Sequence, residues 1–153
     1  MDAAVLHKLG NPPRCEQFPE PTVSDGEAIV HVHAASLKPI DMQLASGARY
    51  ASRRDLPVVC GSDGVGHLSD GQRVFFGGTR PPYGAMAQRT VVRRAFCFPV
   101  PENVDYETAA ALPNRASPPG FRSLSAQSWR QAKTRTPAIW SLVPPSGNDS
   151  LDV

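Results

Sequence analysis

The 153-residue sequence predicts a mainly β domain, a partly open β-barrel with short helices, followed by an irregular tail. Three observations carry that reading. Short apolar stretches recur along residues 1–114 with period-two alternation, broken by Gly, Pro and Asp-Gly turn signals. Only two stretches have the spacing and end signals of a helix. After Asn114 the patterning gives way to Ser, Pro and Arg with isolated Trp. The expected division is therefore a domain over 1–114 and an irregular tail over 115–153.

The first stretch, "MDAAVLHKLG", reads as a strand closed by Gly10. "NPPRCEQFPEPTVSDGE" is punctuated by proline, which cannot donate to a ladder, so it is expected along a sheet edge. "EAIVHVHAASL" alternates cleanly, with Val30, Val32 and Ala34 on one face and Ile29, His31 and His33 on the other. "KPIDMQLASG" predicts a short helix: Pro39 suits its first turn, Ile40 and Leu44 lie four apart, and Gly47 can end it. "LPVVCGSDGVGHLSDGQRVFFGG" reads as strands, with Asp70-Gly71 as a hairpin turn. "GAMAQRTVV" and "AFCFPVP" are two further short strands. "NVDYETAAALP" predicts a helix capped by Asp105, with Glu107 favouring its N-terminal dipole. Val30, Val32, Val74, Val91, Val92 and Phe98 are the expected core.

Composition narrows the classes of function. A net charge of +2 with scattered basic residues argues against nucleic acid or an anionic membrane surface. No apolar run approaches the roughly 20 residues of a membrane span, and the N-terminus lacks a signal-peptide core, so no membrane partner is expected. The three cysteines, Cys15, Cys60 and Cys97, form no CxxC pair and cannot all be paired. A reducing, cytoplasmic setting follows as the expectation.

The ordered set "MDAAVLHKLGNPP", "DGEAIVHVHAASLKPIDMQLASG", "LPVVCGSDGVGHLSDGQRVFFGG", "YGAMAQRTVV" and "FPVPENVDYETAAALPN" resembles the medium-chain dehydrogenase/reductase superfamily, in particular its zinc-independent quinone oxidoreductases. The resemblance runs from Met1 to Asn114. It implies the GroES-like (alcohol dehydrogenase-like) half of the catalytic domain, which in the family is followed by a nucleotide-binding Rossmann domain. It further implies NADPH as cofactor and a small-molecule quinone or enone as substrate. The residues it sets beside nicotinamide and substrate are Lys38, Asp41 and Tyr50. Lys38 stands where the family commonly has Asn and still offers a hydrogen-bond donor. Asp41 has a plain alternative as an N-terminal helix charge, and Tyr50 as a packing residue.

Zinc-dependent relatives place Cys where this chain has Leu37 or Lys38, and Gly-His-Glu where it has "CGSDGVG". Catalytic zinc needs His, Cys or carboxylate ligands, so no zinc is expected. His67 lies beyond that motif with no visible partner. His31 and His33 could share an ion, but half-buried or solvated face histidines are the preferred reading. The glycines of Gly61–Gly66 have G-x-x-G-x-G spacing, not that of a dinucleotide loop, and are expected to serve turns and close packing. Cys60 is expected in a strand as a small apolar residue.

The tail has its own explanation. Joining the third base of each codon after Asn114 to the first two of the next permits residues of the family's usual continuation. Arg115/Ala116 permits Gly, Ala116/Ser117 Val, Pro119/Gly120 Trp, and Arg130 through Lys133 permit Pro-Gly-Glu. Arg115–Val153 is accordingly expected to be a frameshift product that truncates the family's sequence. The alternative is a natural Ser/Pro-rich disordered tail. On this reading the chain is a fragment of an NADPH-dependent quinone oxidoreductase, inactive alone and prone to self-association. A non-enzymatic β-barrel binding module or a decayed fragment is the competing expectation.

Overall fold

The computed structural model describes residues 1–48 and 55–111. Within them run eight strands: β1 (Asp2–Leu6), β2 (Arg14–Gln17), β3 (Glu27–Ala34), β4 (Val58–Val59), β5 (Asp63–Leu68), β6 (Arg73–Gly77), β7 (Arg89–Arg93) and β8 (Cys97–Pro99). Helix α1 (Pro39–Ser46) follows β3, and α2 (Tyr106–Ala111) follows β8. All pairings are antiparallel. One sheet has the order β2-β1-β4 and the other β7-β3-β5-β6-β8. Bridges Ala3–Ala87 and Thr79–Val92 tie the loop between β6 and β7 to both sheets. This is the expected mainly β, half-barrel architecture, and the proline-flanked β2 takes an edge. The expected boundary after Asn114, and the whole tail, lie outside the described residues.

Local signals account for most of these ends. Lys38 precedes α1 in extended conformation, Pro39 opens it, and Gly47 closes it with φ of 79°. Gly71 turns the β5–β6 hairpin with φ of 84°, while Asp70 Oδ1 accepts the Gln72 N–H at 3.0 Å. Asp105 Oδ1 accepts the Thr108 N–H at 2.7 Å and so caps α2.

The five-stranded sheet buries apolar side chains on both faces. Val30, Leu68, Val74, Phe76, Ala85 and Val92 form one cluster. Ala34, Val65, Phe75 and Val100 form the other, covered by Ala109 and Ala110 of α2. The sequence reading put Val30 and Ala34 on one face, and the structure corrects it. The β3–β5 register slips between Val32 and Ala34, leaving His33 as an extra residue. A bulge of this kind shifts the alternation by one, so Val30 and Ala34 enter opposite cores. Of the expected core, Val30, Val74, Val91 and Val92 are buried, whereas Val32 and Phe98 are only half-buried. The expected strand over "GAMAQRTVV" begins only at Arg89.

Candidate functional site

Helix α1 begins where β3 leaves the sheet, and its first turn carries the polar groups of the site. The Lys38 backbone N–H donates to Asp41 Oδ2 at 2.9 Å. Asp41 Oδ1 accepts the Ser62 N–H at 3.0 Å and the Ser62 hydroxyl at 2.8 Å. The carboxylate therefore ties the start of α1 to the turn before β5 and, though 6% exposed, meets three donors. Lys38 is 5% exposed, and its ammonium forms an ion pair with Asp63 of β5. Asp63 is pushed above its ordinary carboxylate range, chiefly by burial, with Lys38 opposing.

Beside this network opens a cleft of about 330 Å³. Leu6, Leu9, Leu44, Leu56 and Val58 make its apolar walls, and Asp41, Ser62, Thr79 and Tyr83 are its polar lining. Two of those polar groups face inward only in part, because Ser62 donates to Asp41 and the Tyr83 hydroxyl donates to the Glu20 carbonyl at 3.1 Å. Cys60 also lines the cleft. It follows β4 and lies outside the strand expected for it. Burial, and secondarily the Asp41 charge, raise its thiol to about 11, so it is a protonated wall residue.

The sequence reading brought Lys38, Asp41 and Tyr50 to one site. Asp41 borders the cleft; Lys38 does not, since its side chain is turned to Asp63; Tyr50 lies outside the described residues. Ser62 and Asp63 were missed, and no local signal marks them, because their partners lie 21 and 25 residues away. The glycines of Gly61–Gly66 serve the backbone. A Cβ on Gly64 would stand 2.8 Å from the Ala34 carbonyl oxygen, and one on Gly66 only 2.0 Å from that of His31.

His67 needs a correction too. It is partnered, by His33 through a 2.9 Å ring-nitrogen contact and by His31 through ring stacking. Even so, among the described residues no group of three His, Cys, Asp or Glu is arranged to hold a metal ion. No helix among them is long and apolar enough to cross a membrane.

Residues 24–102 match the family described as the alcohol dehydrogenase GroES-like domain. The quinone oxidoreductase of Thermus thermophilus, solved also with NADPH, superposes with a TM-score of 0.67 at 33% identity. That match covers 74% of this chain and 36% of the Thermus chain. A NAD-dependent alcohol dehydrogenase of Sulfolobus acidocaldarius is 35% identical over 82 residues, 51% of this chain and 22% of its own length. The chloroplastic NADPH-dependent alkenal/one oxidoreductase of Arabidopsis thaliana is 27% identical over 109 residues, 61% of this chain and 28% of its own length. The chain thus spans about a quarter of these curated relatives.

Proposed function

Since the chain belongs to the alcohol dehydrogenase GroES-like domain family, we propose that it forms the substrate-side half of an NADPH-dependent oxidoreductase delivering hydride to a quinone or enone. The observation that carries this reading is the mainly apolar cleft lined also by Asp41 and Ser62. A flat, uncharged conjugated carbonyl compound suits such walls better than a sugar or a polyanion would. NADPH, held by a nucleotide-binding half, would supply the hydride, so the protein needs no covalent nucleophile; its residues would bind and orient the substrate. Leu44, Leu56 and Val58 would hold the ring and exclude water. Asp41 would fix Ser62 in the cleft wall, and Thr79 would offer a hydroxyl to a carbonyl oxygen. Lys38 would act one step back, by fixing the start of α1 through Asp63. Tyr50 remains proposed as a lining residue.

The donor set does not suit a catalytic zinc, which needs His, Cys or carboxylate ligands and an open position. Lys38 is itself a cation, and Asp41 is already met by three donors. Nor do the described residues suit the dinucleotide phosphates. That chemistry wants glycine-rich backbone N–H groups at a helix N-terminus, whereas Gly64 and Gly66 lie within β5. We therefore expect these 153 residues alone to turn over weakly or not at all, and to self-associate through their sheet edges.

The test is NADPH oxidation with a soluble quinone, by the chain alone and by residues 1–114 joined to the nucleotide-binding half of the Thermus enzyme. Turnover by the joined protein alone is expected. No turnover by either would overturn the reductase reading, and robust turnover by the 153-residue chain would overturn the half-site view.

A further inference from the structure

We propose that His31, His33 and His67 form an acid-sensitive latch that holds α2 on the sheet at neutral pH and releases it as the cluster gains protons. Three contacts build it. His31 on β3 is directly opposite His67 on β5, and their rings stack 5.0 Å apart at 4°. The bulge re-aims His33, whose Nε2 meets His67 Nδ1 at 2.9 Å. The other side of the cluster reaches α2, because the His33 ring stacks on Tyr106 at 4.2 Å and 6°.

Tyr106 is the anchor of α2. The Arg73 guanidinium lies 4.2 Å from its ring centre and donates to the carbonyls of Glu102, at 3.0 Å, and Val104, at 2.6 Å. Behind Tyr106, Ala109 and Ala110 cover Val65, Phe75 and Val100. Loosening the His33–Tyr106 stack therefore bears on the cover of one of the two cores.

Proton counting explains the switch. The His33–His67 contact requires an acceptor nitrogen on one ring. With one added proton it survives as a charge-assisted bond. With two, both nitrogens carry hydrogens and the rings must part, while His31 would be stacked against a cation. The surrounding charges are Arg73 on β6, Arg89 on β7, Glu20 beyond β2 and Glu107 on α2. Glu107, which favours a charged His33, is the weakest influence on it. Burial first, and His67 second, hold His31 and His33 below the ordinary histidine value of 6.5. The latched state thus binds fewer protons than the released state. Its hold is complete above the ordinary value and fades as pH falls through the lowered ones.

The test is amide hydrogen exchange in α2 of the 153-residue chain at about pH 7.5 and about pH 5.5, corrected for intrinsic pH dependence. The wild type is compared with His67→Gln and with His33→Gln. The Ala109 amide, which bonds to the Asp105 carbonyl, is the reporter. Its protection should fall several-fold in the wild type, because the released state binds more protons. In the variants the change should stay within about twofold. Should one variant fail to fold, the other carries the comparison. An equal fall in wild type and variant, or no fall in the wild type, would overturn the latch. So would titration of His31 and His33 at the ordinary histidine value.

Discussion

Lys38 and Asp63, 25 residues apart, form a part-buried ion pair that joins the residue before α1 to the first residue of β5. Lys38→Met removes one partner and leaves a carboxylate in a site only 18% exposed. Breaking a fully buried pair costs about 3–5 kcal/mol and this one should fall at the low end, while replacing both partners is far milder. The single variant should show a loss of about 3 kcal/mol in urea denaturation, and Lys38→Met/Asp63→Leu should recover much of it. The pH dependence has a definite sign. Asp63 already sits above its ordinary value, so the folded state favours its protonated form. Without Lys38 that preference grows, so acidification from about pH 7 to about pH 5 should cost the single variant less stability than it costs the wild type. A single variant that loses as much stability on acidification as the wild type would contradict the pairing.

Asp41 and Cys60 yield a chemical prediction. A thiol raised from 9.0 to about 11 has about a hundredth of the thiolate of an unperturbed one at a given pH below both values. Iodoacetamide at about pH 8 should modify exposed Cys15 long before Cys60. Asp41→Asn removes the charge that is the second cause of the shift, so Cys60 alkylation should accelerate. The same change weakens bonds to Lys38 and Ser62, at about 1–3 kcal/mol. Peptide mass mapping reads both cysteines in one experiment, and equal rates at Cys15 and Cys60 would refute the assignment.

Features set by neighbours in sequence were legible beforehand. Pro39 and Gly47 bound α1, Asp70-Gly71 turns the hairpin, and Asp105 caps α2, because each acts on its immediate neighbours in the chain. What escaped was long-range. Nothing around Lys38 points to Asp63, and nothing in "GVGHL" points His67 at His33. The bulge at His33 was also hidden, since the alternation of "AIVHVHA" continues straight through it and only the partner strand shows the slip. Asp41 illustrates a half-legible residue. Its helix-start role follows from its place in the first turn, but its bonds to Ser62, another residue of the cleft wall, depend on tertiary pairing.

Purified protein should hold less than about 0.1 zinc per chain after dialysis against metal-free buffer. The groups an ion would need are engaged elsewhere. Asp63 is paired with Lys38, Asp41 accepts three hydrogen bonds, and the facing nitrogens of His33 and His67 meet each other. About one zinc per chain by elemental analysis would refute the argument from the donor set.

Two glycines on the β5–β6 hairpin should differ sharply in what they tolerate. Gly71 is at the turn with φ of 84°, and a Cβ there meets open space. Gly71→Ala therefore suffers only backbone strain, about 1–2 kcal/mol. Gly66 has ordinary φ, but its Cβ would fall 2.0 Å from the His31 carbonyl oxygen and 2.9 Å from its carbon. Those atoms are backbone in the middle of the β3–β5 ladder, so no side-chain rotation relieves the clash. Relief requires the strands to part, which strips ladder hydrogen bonds and separates His31 from His67 on the neighbouring residue. Gly66→Ala should cost more than about 4 kcal/mol, at the diagnostic end of the range for single substitutions. In a domain this small, a loss of that size should leave little folded protein at about 37 °C. Urea denaturation of both variants makes the comparison. A Gly66→Ala protein as stable as Gly71→Ala would mean that β3 and β5 do not approach as closely as the structure places them.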